Sequence, residues 1–173
     1  MASKLSLLFL FFSWLSFTFA GYAVWQRYSP VPLPPPPPAT ASGLPYRIRL
    51  SSVGLDLPVY PADIKNDRFP TTPDGVTFLA SSQLPGQPGT AIFYGHNWPR
   101  LLRALHRAQL GQVITVTFNS GHSRDFVIQN IKVVSPRDIS VLIPLSASDS
   151  TLIVYTCTGF LDRQRLILTA ASV

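Results

Sequence analysis

Between Lys4 and Arg27 the chain carries no charge: residues 5–25 read LSLLFLFFSWLSFTFAGYAVW. A stretch of that length is about enough to cross a bilayer core of ~30 Å at ~1.5 Å rise per residue. Thr18-Phe19-Ala20 offers small residues where a signal peptidase would cut, but the apolar stretch exceeds the usual ~7–15 residues of a signal core. The expectation is therefore a membrane anchor over residues 1–28, with a cleaved signal peptide as the rival. With Lys4 and the amino terminus on the short side, the tail is expected in the cytoplasm and the rest of the chain outside. Arg27 opposes this orientation weakly.

Residues 29–45, SPVPLPPPPPATASGLP, follow as a proline-rich linker. The run Pro34 to Pro38 favours polyproline II, a semi-rigid spacer of ~3.1 Å per residue with no packed core. It reads as a tether, with a docking segment for a proline-binding module as the lesser alternative. About 125 residues, 46–173, remain to bury a single core.

The net charge of +6 arises without a single glutamate, and most of the basic residues are scattered. Arg100, Arg103, His106 and Arg107 form one local group, read as a solvated helix face or as an attraction to anionic wall or lipid head groups. Nucleic acid is not expected as a partner of a domain held outside the cytoplasm. No metal or other cofactor is expected: His96, His106 and His122 stand apart, and the aspartates do not follow a calcium-loop spacing.

The domain reads as short strands between turns. Arg47–Leu50 alternates polar and apolar residues, and further runs follow at Leu55–Val59, Gly75–Leu79, Thr90–Tyr94, Val113–Phe118, Asp125–Val134, Thr151–Thr156 and Arg165–Ala170. Val, Ile, Thr, Phe and Tyr dominate these runs, as suits a pleated, half-buried surface. One stretch reads as helix: Pro99 suits a first turn, Leu101, Leu102, Leu105 and Ala108 recur on one face, and Gly111 ends it. Eight strands with one or two short helices predict a closed antiparallel or mixed β-barrel, with a β-sandwich as the alternative.

Cys157 is the sole cysteine. An exported chain with one cysteine cannot form an internal disulfide, so the thiol is either buried and inert or kept for its reactivity. Gly95-His96-Asn97 closes another apolar run and supplies a base, and Arg165 follows the cysteine by eight residues. Thiol, imidazole and guanidinium together can carry out acyl transfer. A free thiol with pKa ~8.5 is mostly protonated at neutral pH, and a nearby imidazole or guanidinium favours the reactive anion. Strand alternation puts Arg163 and Arg165 on one face, so spacing alone does not choose between them.

Three segments in order then resemble one family. These are Leu84-Pro85-Gly86 leading to Gly89–His96, the stretch Leu102–Val116 (LRALHRAQLGQVITV), and Ile153-Val154-Tyr155-Thr156-Cys157 with its downstream arginine. Together with the anchor and tether they resemble sortases, the membrane-anchored cysteine transpeptidases of bacterial cell surfaces. The usual TLxTC motif is met strictly only at Thr156-Cys157, because Ile153 stands where the first threonine belongs. The short segment from Thr158 to Leu168 resembles the class D and E types.

The resemblance implies an eight-stranded barrel. It also implies Cys157 as nucleophile, His96 as proton carrier, and Arg165 (the arginine before the final apolar run) as stabiliser of the oxyanion or the substrate. Thr156, Tyr94 and Asn97 are candidate substrate contacts; Thr156 equally suits a packing role, and Tyr94, Asn97 and Trp98 suit packing beside the loop. His106 and His122 read as surface residues. The implied partners are secreted proteins with a C-terminal sorting signal and an amine acceptor on a cell-wall precursor or a pilin lysine. Two rivals remain at this level: a cysteine hydrolase that uses water in the second step, and a non-enzymatic exported barrel.

Overall fold

The computed structural model describes residues 4–29, 43–64, 69–138 and 149–173. Most of the proline-rich segment expected to act as a tether, residues 30–42, lies outside the described residues. The chain divides into two compact units, Met1–Pro30 and Val31–Val173.

In the first unit a helix, α1 (Lys4–Tyr28), follows the uncharged stretch. Its apolar side chains are exposed all round, from Phe9 and Trp14 to Phe17 and Trp25. Such a helix has no polar face to turn to water. The portion Ser6–Tyr28 is long and apolar enough to cross a membrane by length and composition.

The second unit holds eight strands among the described residues: β1 (Pro45–Leu50), β2 (Leu55–Ala62), β3 (Val76–Leu79), β4 (Gly89–Gly95), β5 (Val113–Phe118), β6 (Ser123–Val134), β7 (Ser150–Thr158) and β8 (Gln164–Ser172). They close into a barrel in the order β1-β2-β3-β4-β7-β8-β6-β5. The β2–β3 and β4–β7 pairs are parallel and the rest antiparallel. Closure leaves no unpaired edge, which explains how so many β-branched strands coexist in a small domain.

Alternation along the strands fills the interior. Ile48 and Leu50 from β1, Phe78 from β3, Phe93 from β4, Val116 from β5, Phe126 from β6, Leu152 and Val154 from β7 and Leu168 from β8 form one apolar cluster. Phe78 and Phe93 meet with ring centroids 5.2 Å apart. Each such side chain fully buried contributes about 1.5–3 kcal/mol.

The predicted helix after Pro99 is shorter and tighter than its pattern suggests: a 3-10 helix over Leu102–Arg107. No side chain caps its start, no acidic residue lies in its first turn, and Ala108 is already extended. Tertiary packing holds it instead. Leu101, Leu102 and Leu105 are buried in the barrel cluster, and Arg107 Nη2 donates to the Val53 carbonyl at 2.7 Å.

Candidate active site

Strand β7 decides the layout of the site. Leu152, Val154 and Thr156 point inward and are buried, so Tyr155 and Cys157 face out. On one side, β7 runs parallel to β4 with Tyr94 beside Tyr155 and Gly95 beside Thr156. The pairing and β4 both end at Gly95, and His96 is the next residue, the first of the loop that follows. On the other side, β8 is antiparallel and sets Arg165 directly opposite Cys157. Thiol and guanidinium residues thus face each other across β7 and β8, with His96 just past the end of β4.

The Cys157–Arg165 pair opens onto a groove. Tyr94, Tyr155, Cys157, Arg165, Ile167 and Val134 form its floor, from the outer face of β4, β7, β8 and β6. Phe69 and Thr71 border it on the β2–β3 side; Ser135, Pro136 and Asp138 border it after β6. The groove encloses about 290 Å³. Aromatic contacts firm the floor: Tyr94 stacks on Tyr155 with centroids 5.5 Å apart, and Phe69 meets Tyr94 edge-on at 5.5 Å.

Beneath the floor lies Thr156, 1% exposed, its Oγ1 donating to the Gly95 carbonyl at 2.8 Å. That bond ties β7 to β4 one residue below Cys157 and His96, and Thr156 does not reach the groove surface. Gly95 has no room for a side chain without displacement: a Cβ there would lie 3.2 Å from Leu102 Cδ1.

The loop after β4 is stitched to the 3-10 helix. Leu102 N–H donates to the His96 carbonyl at 3.2 Å, and Leu101 N–H donates to the Trp98 carbonyl at 2.9 Å. The His96 ring stacks on Trp98 with centroids 4.7 Å apart and planes 12° from parallel. The indole face thus lies against the imidazole plane. Asn97 points elsewhere, into the wall of a second cavity.

The β7–β8 loop shapes the guanidinium. Gly159 turns the chain at φ 76, where a Cβ would lie 2.6 Å from Gln164 Oε1. Leu161 and Asp162 are left-handed at φ 54 and 57, and the Asp162 carbonyl accepts from Arg165 Nη1 at 2.9 Å. The Gln164 carbonyl accepts from the same nitrogen at 2.9 Å. Arg163 lies in the exposed turn before β8, away from the groove lining.

Electrostatics act in both directions on the thiol. Burial pushes the Cys157 pKa up, the Arg165 cation pulls it back, and the Asp162 carboxylate pushes it up again, with a raised value as the balance. Burial also pushes Tyr94 up to about 12, aided by Asp63, and raises Tyr155, so both phenols stay neutral in the groove.

The family model "Sortase domain" matches residues 48–173. The chain belongs to the sortase family. Among solved structures it is similar to sortase C from Clostridium perfringens SM101, at 21% identity and TM-score 0.61, covering 73% of this chain and 68% of that one. The lid mutant of sortase A from Corynebacterium diphtheriae aligns at 23% identity and TM-score 0.66, over 79% and 74%. The sortase D5 transpeptidase of Clostridium perfringens aligns at 21% and 0.63, over 76% and 79%. No curated protein matches the sequence. By family this sortase is a cysteine transpeptidase, and the closed mixed barrel is the sortase fold.

Several groove residues were not among the candidates. Tyr155 and Ile167 carry a signal, since each lies two residues from Cys157 or Arg165 on a strand and so shares its face. Val134 and Phe69 carry none: one reaches the groove through the β6–β8 register and the other through a loop.

Proposed function

We propose that this sortase works from outside the membrane, anchored by α1, and that Cys157, His96 and Arg165 carry its chemistry. The observation that supports this reading most is Arg165 directly opposite Cys157 in the aromatic groove, with His96 following Gly95 at the end of the neighbouring β4. A C-terminal sorting signal of a secreted protein lies extended in the groove. Cys157 attacks its scissile carbonyl, and a C–S bond forms as the C–N bond breaks. His96 gives its proton to the departing amine, then takes one from the incoming amine as the thioester is resolved. Arg165 donates to the oxyanion that develops at the carbonyl.

The raised Cys157 pKa has a consequence for this scheme. At neutral pH the resting sulfur is mostly thiol, so its proton must pass to His96 before or during attack.

The acceptor amine belongs to a cell-wall precursor or a pilin lysine, and residues 29–45 serve as the linker. The short Cys-to-Arg loop favours a class D or E type. The full chain in detergent, with a library of sorting-motif peptides and a primary amine, tests the reading by intact-mass spectrometry. Thioacyl adduct on Cys157 and amine-linked product are expected. Adduct with hydrolysed product alone makes it a peptidase, and no adduct with any peptide sinks the reading.

A further inference from the structure

No acidic residue occurs between Asp74 and Asp125, and that span carries Arg100, Arg103, Arg107 and Arg124. The first three of these fall together, on the loop after β4 and its 3-10 helix. There the chain forms a second hollow, of about 480 Å³, which the scheme above leaves unused. Arg103, His106 and Arg107 line it together with Asn97, Pro99 and Ala104, and no carboxylate is among them.

The local structure holds these basic groups close to one another. A 3-10 helix has about three residues per turn, so Arg103 and His106 lie one above the other. Arg107 is tied in place, its Nη2 donating to the Val53 carbonyl at 2.7 Å. Arg100 lies over the Trp98 ring, 5.5 Å from its centroid. Ion pairs join Arg47 and Arg49 to Asp56, but neither Arg103 nor Arg107 pairs with a carboxylate among the described residues. Like charges held this way repel, and the apolar wall of buried Leu102 and Leu105 beneath them strengthens the field outside. An anion entering the hollow relieves that repulsion.

The donors select among anions. A carboxylate presents two oxygens in one plane. A phosphate presents its oxygens in a tetrahedron, which two guanidinium forks and an imidazole N–H can meet from several sides. The volume suits such a group, since small-ligand pockets run from about 300 to 1,000 Å³. We infer that this hollow is a phosphate-binding site, in which Arg103, His106 and Arg107 hold a phosphate carried by an anionic lipid headgroup or by a soluble phosphate ester. The site stands apart from the chemistry at Cys157 and does not depend on it.

Isothermal titration calorimetry on the full chain in a neutral detergent at low salt tests the assignment. Glycerol 3-phosphate and glycerophosphoglycerol are the probes, with acetate and glycerol as controls. At least one phosphate is expected to bind at least about tenfold tighter than acetate, the step that one charge-assisted hydrogen bond supplies. Arg103→Glu should weaken that binding at least about tenfold, and Arg103→Gln should weaken it less. Arg163→Glu makes the same change of net charge in the exposed β7–β8 turn and should leave binding within about twofold. Arg103 is exposed, so its variants should keep the barrel, which circular dichroism checks. Phosphate bound no tighter than acetate, or bound as well by Arg103→Glu as by Arg163→Glu, overturns the inference. The source is read by moving the full chain into nanodiscs. A lipid source predicts that phosphatidylglycerol discs block glycerol 3-phosphate where phosphatidylcholine discs admit it; a soluble source predicts equal binding in both.

Discussion

The groove beside Cys157 and the hollow beside Asn97 share one loop and are built in opposite ways. The groove floor consists of side chains from four hydrogen-bonded strands, aromatic or aliphatic except where the reacting groups emerge. The hollow is carried by a loop and a six-residue 3-10 helix, held by buried leucines and a few backbone bonds, and it is cationic. A strand register fixes neighbours to within a fraction of an ångström, which is what a nucleophile and its proton carrier need. A loop tolerates adjustment, which suits recognition of a charged partner from solvent.

If the strand-built Cys157–Arg165 pair is the chemical machinery, damage there must outweigh damage in the loop. The largest effect belongs to Cys157→Ala: transfer should fall more than about a thousandfold, with the adduct gone from the mass spectrum. Arg165→Ala should follow, at about 10²–10³ in kcat, the cost of one oxyanion donor. Arg163→Ala, in the exposed turn, should cost little more than twofold within the usual surface range. Equal losses at the two arginines would break the assignment of the guanidinium to the β8 position opposite Cys157.

Thr156→Val probes the seam between β4 and β7 rather than the chemistry. It keeps the volume, removes the donor to the buried Gly95 carbonyl, and should cost about 1–3 kcal/mol. For a small domain each kcal/mol lowers Tm by roughly 4–8 °C, readable by circular dichroism. Unchanged Tm with weakened peptide binding would return Thr156 to the role of substrate contact that its motif position suggests.

The fold was legible because local pattern and global closure agree. Every apolar run from Arg47–Leu50 to Arg165–Ala170 became a strand, often extended by a residue or two, since β-branched residues prefer that surface and turns mark the breaks. Cys157, His96 and Arg165 stood out through motif order, but how the strands carrying them are paired did not. That pairing includes the parallel β4–β7 pair, a contact across 61 residues of sequence at the Thr156–Gly95 bond. The helix after Pro99 misled in type, because leucine spacing reports a buried face and not whether the turn is α or 3-10. Phe69 was invisible for a plainer reason: a single aromatic in a loop carries no period.

The finest distinction is electrostatic and tests the groove side of the comparison with the Cys157 thiol left in place. Asp162 pushes the Cys157 pKa up and Arg165 pulls it down, through opposite charges on the same loop and strand. The rate of iodoacetamide alkylation against pH reads the thiolate directly. In the native chain its midpoint should lie above the ~8.5 of a free thiol. Asp162→Asn removes the repelling carboxylate while asparagine accepts the left-handed backbone, so the midpoint should move down and the rate at pH ~7 should rise severalfold. Arg165→Gln should move it up. A midpoint indifferent to both changes would mean that burial alone governs the sulfur, and that the loop positions the arginine for the substrate rather than for the thiol.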